Sequence, residues 1–112
     1  MNLLSPETLE DEINMVQYVV EWDGEKARIN EAKHGVRFDE ARSCFHDLFA
    51  VESFDIEHSL DEDRFMIMGT SERKRLLVVA FTQRDHGTIR IISAREASRK
   101  ERMAYEKQGR SR

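Results

Sequence analysis

The sequence predicts an α+β fold in which helices pack on one face of a small antiparallel sheet. Three observations support this prediction. An alternating segment precedes two helical segments, four short strand segments follow with turns between them, and a helical segment comes last. The predicted order of elements is therefore β-α-α-β-β-β-β-α.

The composition is that of one folded domain with an ionic surface. The chain has 112 residues, of which 39% are hydrophobic and 36% are charged. This length suffices for one modest core. We assign residues 15–112 to the domain and residues 1–14 to an N-terminal extension, in which Ser5 and Pro6 would begin a short helix.

The N-terminal half contains the first strand and two helices. Residues 16–22 alternate in polarity, as a half-buried strand does. Asp23 is expected to cap the first helix, and Gly35 marks its end because glycine readily adopts the left-handed conformation after a last helical turn. A second short helix is expected over residues 39–45.

The C-terminal half supplies the remaining strands and the last helix. Strands are expected over residues 49–55, 64–70, 76–81 and 88–94. The run 76–81 lacks alternation, which indicates a central strand covered on both faces. Residues 96–107 contain no Gly or Pro and are rich in helix formers, so they predict the C-terminal helix.

The net charge of −4 conceals a strong asymmetry along the chain. Residues 1–63, the acidic half, contain 17 acidic and 5 basic side chains, a charge of −12. Residues 64–112, the basic half, contain 5 and 13, a charge of +8. This division suits a basic surface for an anion and an acidic surface for a basic protein. Alternatively, the fold interleaves the halves and cancels the asymmetry.

Cysteine usage and hydropathy indicate the compartment. The only cysteine, Cys44, cannot form an internal disulfide, which favours a reducing environment. The longest apolar run, residues 76–81, is far too short to span a membrane. We therefore expect a cytoplasmic protein with no membrane contact. The histidines lack a metal-binding spacing, so neither a metal nor a cofactor is expected.

The first helix carries a row of polar side chains. Lys26, Asn30 and His34 are four residues apart and share one stripe. Lys26 suits a phosphate contact, and His34 could serve as an acid or base near neutral pH. The alternative for His34 is a favourable interaction with the negative end of the helix. The other histidines are weaker candidates, expected in exposed loops: His46, His58 and His86.

Two arginines of the predicted sheet are expected beside a ligand or an internal carboxylate. Arg64 shares its strand face with methionines, and Arg95 shares its face with Ile91 and Ser93, so both continue mostly apolar faces. Charge buried there is costly unless an anion or a carboxylate accompanies it. The two arginines could then edge a common cleft.

The C-terminal helix predicts a basic stripe beside a mostly apolar arc. Arg95, Arg99 and Arg102 fall on the stripe, which suits phosphates because a guanidinium can bind two oxygens at once. The alternative is a solvated helix face. Glu101 falls on the apolar arc, where a carboxylate must be paired or have a shifted pKa. Its alternative is a structural ion pair with Arg64 or Arg95.

Several segments carry a family resemblance that covers about residues 16–107. They are Glu21-Trp22-Asp23-x-x-Lys26, Asn30, Lys33-His34-Gly35-Val36-x-Phe38, Glu62-Asp63-Arg64-Phe65 to Gly69, and Arg90-Ile91-Ile92-Ser93-Ala94-Arg95-x-Ala97 followed by Glu101 and Tyr105. Together they resemble the BrnT-type toxins of bacterial type II toxin-antitoxin modules. Residues 1–14 lie outside the resemblance.

The resemblance implies a RelE-like fold and an endoribonuclease that arrests translation. It also implies a cognate antitoxin with a ribbon-helix-helix DNA-binding domain, and repression of the operon by the complex, so that operator DNA is reached only through the antitoxin. The basic half would then supply an RNA surface, and the acidic half could meet a basic antitoxin.

On this hypothesis the 2′-hydroxyl of RNA attacks the adjacent phosphate without a metal ion, which requires a base, an acid and a cationic clamp. We predict that Arg64 and Arg95 form the clamp, that Lys26 positions phosphate, and that His34 or Glu101 transfers protons. Further RNA contacts are predicted for three arginines: Arg90, Arg99 and Arg102.

A second hypothesis is a non-catalytic binding module that acts as a co-repressor with a DNA-binding partner. Cleavage of RNA in EDTA would distinguish the two. A stand-alone transcription factor is disfavoured because no helix-turn-helix spacing accompanies the basic helix.

Overall fold

The computed structural model describes residues 19–59, 62–84 and 87–110. Its described part contains five strands and three α-helices. In chain order these are β1 (Val19–Glu21), α1 (Gly24–His34), α2 (Phe38–Ser43), β2 (Val51–Phe54), β3 (Phe65–Thr70), β4 (Leu76–Gln83), β5 (Thr88–Glu96) and α3 (Arg99–Arg110). The predicted α+β class is confirmed. The predicted N-terminal helix and the turn at His86 lie outside the described residues.

The five strands form one sheet in the order β1-β5-β4-β3-β2. Strands β2 to β5 are antiparallel to their neighbours, as their short connections require. Strand β1 is parallel to β5, with Val19 opposite Thr88. The first strand thus lies beside the strand that carries the Arg90 to Arg95 motif.

One face of the sheet packs against α1, α2 and the segment between them. This face contributes residues such as Ile67, Val79 and Ala94 to a cluster that includes Val36 and Phe38. Burial of these apolar side chains is the main stabilising contribution to the fold. Strand β4 is buried on both faces, as predicted for a central strand.

Helix α1 is capped as predicted and is attached to the sheet by one buried amide. The Asp23 carboxylate accepts hydrogen bonds from the backbone N–H groups of Glu25 and Lys26. Gly35 ends the helix with φ 70°. The Asn30 side chain donates to Val36 O at 3.0 Å and Ala94 O at 2.8 Å, and accepts from Ala94 N at 3.0 Å. Asn30 therefore fixes α1 against β5.

A buried ion pair joins α2 to the turn between β3 and β4. Glu40 is 3% exposed and accepts from Arg75 Nε at 3.0 Å and from the Ser71 hydroxyl at 2.7 Å. Arg75 also donates to Gly35 O at 3.2 Å. The Arg75 hydrogen bonds lower the pKa of the Glu40 carboxyl, although burial opposes that shift. This network fixes the β3–β4 turn to the C-terminal end of α1.

The predicted alternation of β5 is wrong at its centre, because a bulge interrupts the register with β4. Ala80 lies opposite Ser93, whereas the next residue, Phe81, lies opposite Ile91. The extra residue, Ile92, shifts the pattern. Ile91 therefore belongs to the core under the helices. Ser93 and Arg95 lie on the other face, so Arg95 does not share its face with Ile91.

The last helix begins later than predicted. Glu96 still pairs with Leu77 in the sheet, and α3 starts at Arg99. Its first turn is capped reciprocally: Ser98 Oγ accepts from Glu101 N at 3.1 Å, and Glu101 Oε1 accepts from Ser98 N at 2.8 Å. Arg95 consequently lies on a strand and is not part of the helical stripe with Arg99 and Arg102.

Candidate functional site

A groove of about 490 Å³ opens on the sheet face opposite α1 and α2. Its floor is largely apolar and comes from β3, β4 and β5, while its wall comes from the end of β2 and the loop that follows. The lining residues are Ser53, Phe54, Asp55, Glu57, His58, Arg64, Met66, Val78, Ala80, Ile92, Ser93 and Arg95. The β5 bulge places both Ile92 and Ser93 in this lining.

Two arginines from different strands face this groove. Arg64 precedes β3, and Arg95 lies near the end of β5, opposite Val78. The groove therefore brings together two side chains that are 31 positions apart in the sequence. The predicted common cleft for Arg64 and Arg95 exists.

Arg95 is held by Glu101. Arg95 Nη1 donates to Glu101 Oε1 at 2.8 Å, and Nη2 donates to Oε2 at 2.9 Å, so the contact is bidentate. Hydrogen bonds from Arg95 and Ser98 outweigh burial and lower the pKa of the Glu101 carboxyl to about 2. Glu101 is therefore ionised at neutral pH, and both of its oxygens are occupied.

The loop after β2 forms a wall that includes a histidine. His58 Nδ1 lies 2.9 Å from Asp55 Oδ2, and the carboxylate can only accept, so Nδ1–H is the donor. Asp55 N donates to Arg64 O at 2.8 Å. Ser59 Oγ accepts from Arg64 N at 2.9 Å and donates to Asp55 O at 2.5 Å. These bonds fix the position of the loop relative to Arg64.

The remaining predicted site residues do not line the groove. Lys26 and His34 are on α1, which packs on the opposite face of the sheet through Asn30 and Ala94. Lys26 is exposed, and His34 is half-buried in the last turn. The predicted catalytic residues thus fall into two groups, with Arg64, Arg95 and Glu101 on one face and α1 on the other.

Three arginines predicted to contact RNA lie on β5 and α3. Arg90 lies on β5 and donates from Nε to Glu21 Oε2 at 3.0 Å. Arg99 and Arg102 are exposed in the first turns of α3, on either side of Glu101. None of the three lines the groove itself.

Sequence patterns alone did not place His58, Asp55 and Phe54 in the groove, although all three line it. His58 was expected in an exposed loop, and its ring is indeed 62% exposed. His58 lines the groove together with Arg64 because β2 and β3 pair antiparallel, which brings the two ends of the connecting loop together. The pairing of the predicted strands 49–55 and 64–70 was the available signal, since it places residues just after the first strand beside Arg64.

Within the described ranges, no three or more His, Cys, Asp or Glu side chains form a group that could hold a metal ion. None of the helices in those ranges has the length and apolar character needed to cross a membrane.

The fold and the groove together define a small α+β protein in which two arginines line one groove on the sheet. The family model described as "Ribonuclease toxin, BrnT, of type II toxin-antitoxin system" matches residues 22–101. The chain belongs to this BrnT family of ribonuclease toxins, which confirms the resemblance found in the sequence. Membership implies an antitoxin partner.

Among solved structures, the 1.1 Å crystal structure of the Brucella abortus ribonuclease toxin BrnT is similar to this chain. The two are 26% identical with a TM-score of 0.59, and the match covers 74% of this chain and 100% of that chain. No curated protein matches the sequence significantly.

Proposed function

We propose that this protein is an endoribonuclease that binds RNA in the groove and cleaves it without a metal ion. It would act in the cytoplasm and arrest translation there. A ribbon-helix-helix antitoxin would neutralise it, and the complex would reach operator DNA only through that antitoxin. Membership of a ribonuclease toxin family supports the reaction class.

The observation that carries this proposal is the convergence of Arg64 and Arg95 on one groove. Two guanidinium groups beside a mostly apolar floor suit a phosphodiester, whose charge needs donors and whose sugar and base need apolar contacts. Phe54 adds an aromatic side chain to the wall and is 46% exposed. A base could stack on it.

The clamp would act on the charge that develops on phosphate during cleavage. As the 2′-oxygen attacks, negative charge accumulates on the non-bridging oxygens, and fixed donors lower the barrier without reorganising. Arg64 has no ion pair or side-chain hydrogen bond with another described residue, so its guanidinium is available to phosphate. Glu101 would hold the plane of Arg95 and would not transfer a proton, because its carboxyl is ionised and fully engaged.

Residues outside the groove would extend the RNA contact. Arg99 and Arg102 are exposed on α3 next to Glu101, where they would meet phosphates that flank the cleavage site. Arg90 would act similarly at the other end of β5. Lys26 and His34 would contribute only if RNA continues around the β1 edge of the sheet to α1.

The test is cleavage of a defined RNA by the purified protein in EDTA. We expect Arg64→Ala and Arg95→Ala each to cleave at least about 100-fold more slowly than wild type, since loss of one donor to a developing oxyanion has effects of that size. Arg28→Ala is the matched control, because Arg28 is exposed on α1 and lies outside the groove. It should retain the wild-type rate.

Two results would contradict the proposed function. Intact RNA with the wild-type protein in EDTA, together with tight antitoxin binding, would indicate a non-catalytic co-repressor. Growth arrest on expression without the antitoxin, relieved by co-expression with it, would accompany cleavage. Normal growth of cells that express the folded protein alone would contradict the proposed toxicity.

A further inference from the structure

We propose that His58, oriented by Asp55, is the catalytic base that accepts the 2′-hydroxyl proton during RNA cleavage. This inference rests on the proposed function and adds to it the group that the arginine clamp cannot supply. Arginine is protonated throughout the accessible pH range, so neither Arg64 nor Arg95 can serve as a base.

The geometry of His58 fits this role. Its ring lines the same groove as Arg64 and Arg95. The Nδ1–H group donates to Asp55 Oδ2 at 2.9 Å, which leaves Nε2 as the unprotonated nitrogen of the neutral ring. Nε2 has no hydrogen-bond partner among the described residues, and the ring is 62% exposed, so RNA can reach it. A carboxylate that orients an imidazole in this manner also stabilises the imidazolium that forms.

Hydrogen bonds fix the position of the loop that carries His58 relative to the backbone of Arg64. The Asp55 side chain is only 18% exposed, and its backbone N–H donates to Arg64 O at 2.8 Å. The hydroxyl of Ser59, the residue after His58, bridges Arg64 N and Asp55 O. Hydrogen bonds among Asp55, Ser59 and Arg64 therefore hold the loop that carries the base next to one half of the clamp.

The other proton-transfer candidates are less well placed. Both oxygens of Glu101 are bound to Arg95, and Oε1 also accepts from Ser98 N. His34 lies on the helix that packs against the opposite face of the sheet. Glu57 lines the groove beside His58 and is the competing base that the experiment must exclude.

The reaction step balances with these groups alone. Nε2 of the neutral His58 takes the 2′-hydroxyl proton, and the 2′-oxygen uses its electron pair to form a bond to phosphorus. The bond between phosphorus and the 5′-oxygen breaks, and the 5′-oxygen leaves with that pair and takes a proton from water. The products are a 2′,3′-cyclic phosphate and a 5′-hydroxyl, and the imidazolium returns its proton to solvent.

The experiment separates binding from chemistry. Binding is measured on an RNA with a 2′-O-methyl group at the cleavage site, and cleavage is measured at saturating protein in single turnover. We expect His58→Gln to bind within about 2-fold of wild type and to cleave about 100-fold more slowly, the usual loss for general-base removal. Asp55→Asn should lower the cleavage rate with unchanged binding. Added imidazole should partly restore His58→Ala.

Control variants decide between this base and its competitors. His46→Gln replaces an exposed histidine outside the groove and should cleave like wild type. The inference is overturned if His58→Gln cleaves within about 3-fold of wild type while Arg95→Ala is inactive, or if Glu57→Gln or His34→Gln shows the loss instead. If the wild-type protein does not cleave RNA in EDTA, the proposed function itself fails. Thermal unfolding of each variant verifies that it folds.

Discussion

Arg95 shows how a single side chain can be both paired and available. Its guanidinium has five N–H donors. Nη1 donates to Glu101 and to Glu96 O, and Nη2 donates once to Glu101. The donor on Nε and the second donor on Nη2 have no partner among the described residues, and they form one edge of the planar group. Glu101 thus fixes the plane of the guanidinium and leaves this edge for the phosphate contact that we propose.

Replacement of Glu101 by Gln should weaken this pair in a pH-dependent manner. Because the folded pKa of about 2 lies below the ordinary value of 4.5, the ionised carboxylate stabilises the folded state above about pH 4.5. That contribution is lost as pH falls towards 2. We expect Glu101→Gln to lower the free energy of unfolding by about 1 kcal/mol at pH 7, a modest value because solvent screens this partly exposed pair.

Urea unfolding of both proteins between pH 3 and pH 7 measures this effect. The difference between wild type and Glu101→Gln should narrow below about pH 4.5. Glu106→Gln, an exposed change on the same helix, should alter stability by less than about 0.5 kcal/mol at pH 7. If the difference in the free energy of unfolding between wild type and Glu101→Gln stays constant across this pH range, the charge of Glu101 does not contribute to stability.

Among the elements, α3 is attached to the domain at two points. Its N-terminal turn is held by the Ser98 and Glu101 capping contacts and by Arg95. Further along, the Tyr105 hydroxyl donates to Asp47 Oδ2 and lies 3.3 Å from Thr70 Oγ1. Burial raises the pKa of Asp47, but hydrogen bonds from Tyr105 and Thr70 contribute to a net lowering. These contacts set the direction in which α3 presents its arginines.

Tyr105→Phe removes the hydroxyl from this second attachment point. We expect a loss of about 1 to 2 kcal/mol in the free energy of unfolding, because a half-buried carboxylate loses a donor. Urea unfolding measures the loss. Lys100→Ala, an exposed change in the first turn of α3, should cost less than about 0.5 kcal/mol. Equal stability of Tyr105→Phe and wild type would mean that Asp47 does not anchor the helix.

In the whole molecule, the acidic and basic halves are interleaved. Strand β1 from the acidic half pairs with β5 from the basic half, and β2 pairs with β3. Two ion pairs, Glu40 with Arg75 and Glu21 with Arg90, also connect the halves. Part of the asymmetry in the sequence is therefore cancelled inside the fold. Exposed positive charge remains on α3 beside the groove.

This arrangement predicts a steep dependence of RNA binding on salt. Each phosphate contact releases counterions, so the logarithm of the binding constant should fall with the logarithm of salt concentration by about 0.7 per contact for a single strand. Arg64→Gln should reduce the slope by about that amount, whereas Arg28→Gln should leave it unchanged. Binding of a 2′-O-methyl RNA at several salt concentrations measures the slope. A wild-type slope near zero would contradict a phosphate-led interface.

The sequence by itself determined the local structure and the family. Asp23 and Gly35 mark the ends of α1 because capping depends on residues adjacent in the chain. The strands were found within a few residues because hydrophobic periodicity is also local. The motifs around Lys26, His34 and Arg95 indicated the BrnT family, and the matched family model confirms it.

Only the tertiary structure decided which side chains share the groove. The β5 bulge depends on pairing with β4. Alternation counted along β5 therefore put Ile91 and Arg95 on the same face, whereas they lie on opposite faces. The choice of partner for Glu101, left open between Arg64 and Arg95, required the direction of α3. His58 lies near Arg64 because the antiparallel pairing of β2 and β3 brings the ends of their connecting loop together. Helix α1 packs on the opposite face of the sheet from both residues. Such relations depend on contacts between distant segments, which local patterns do not encode.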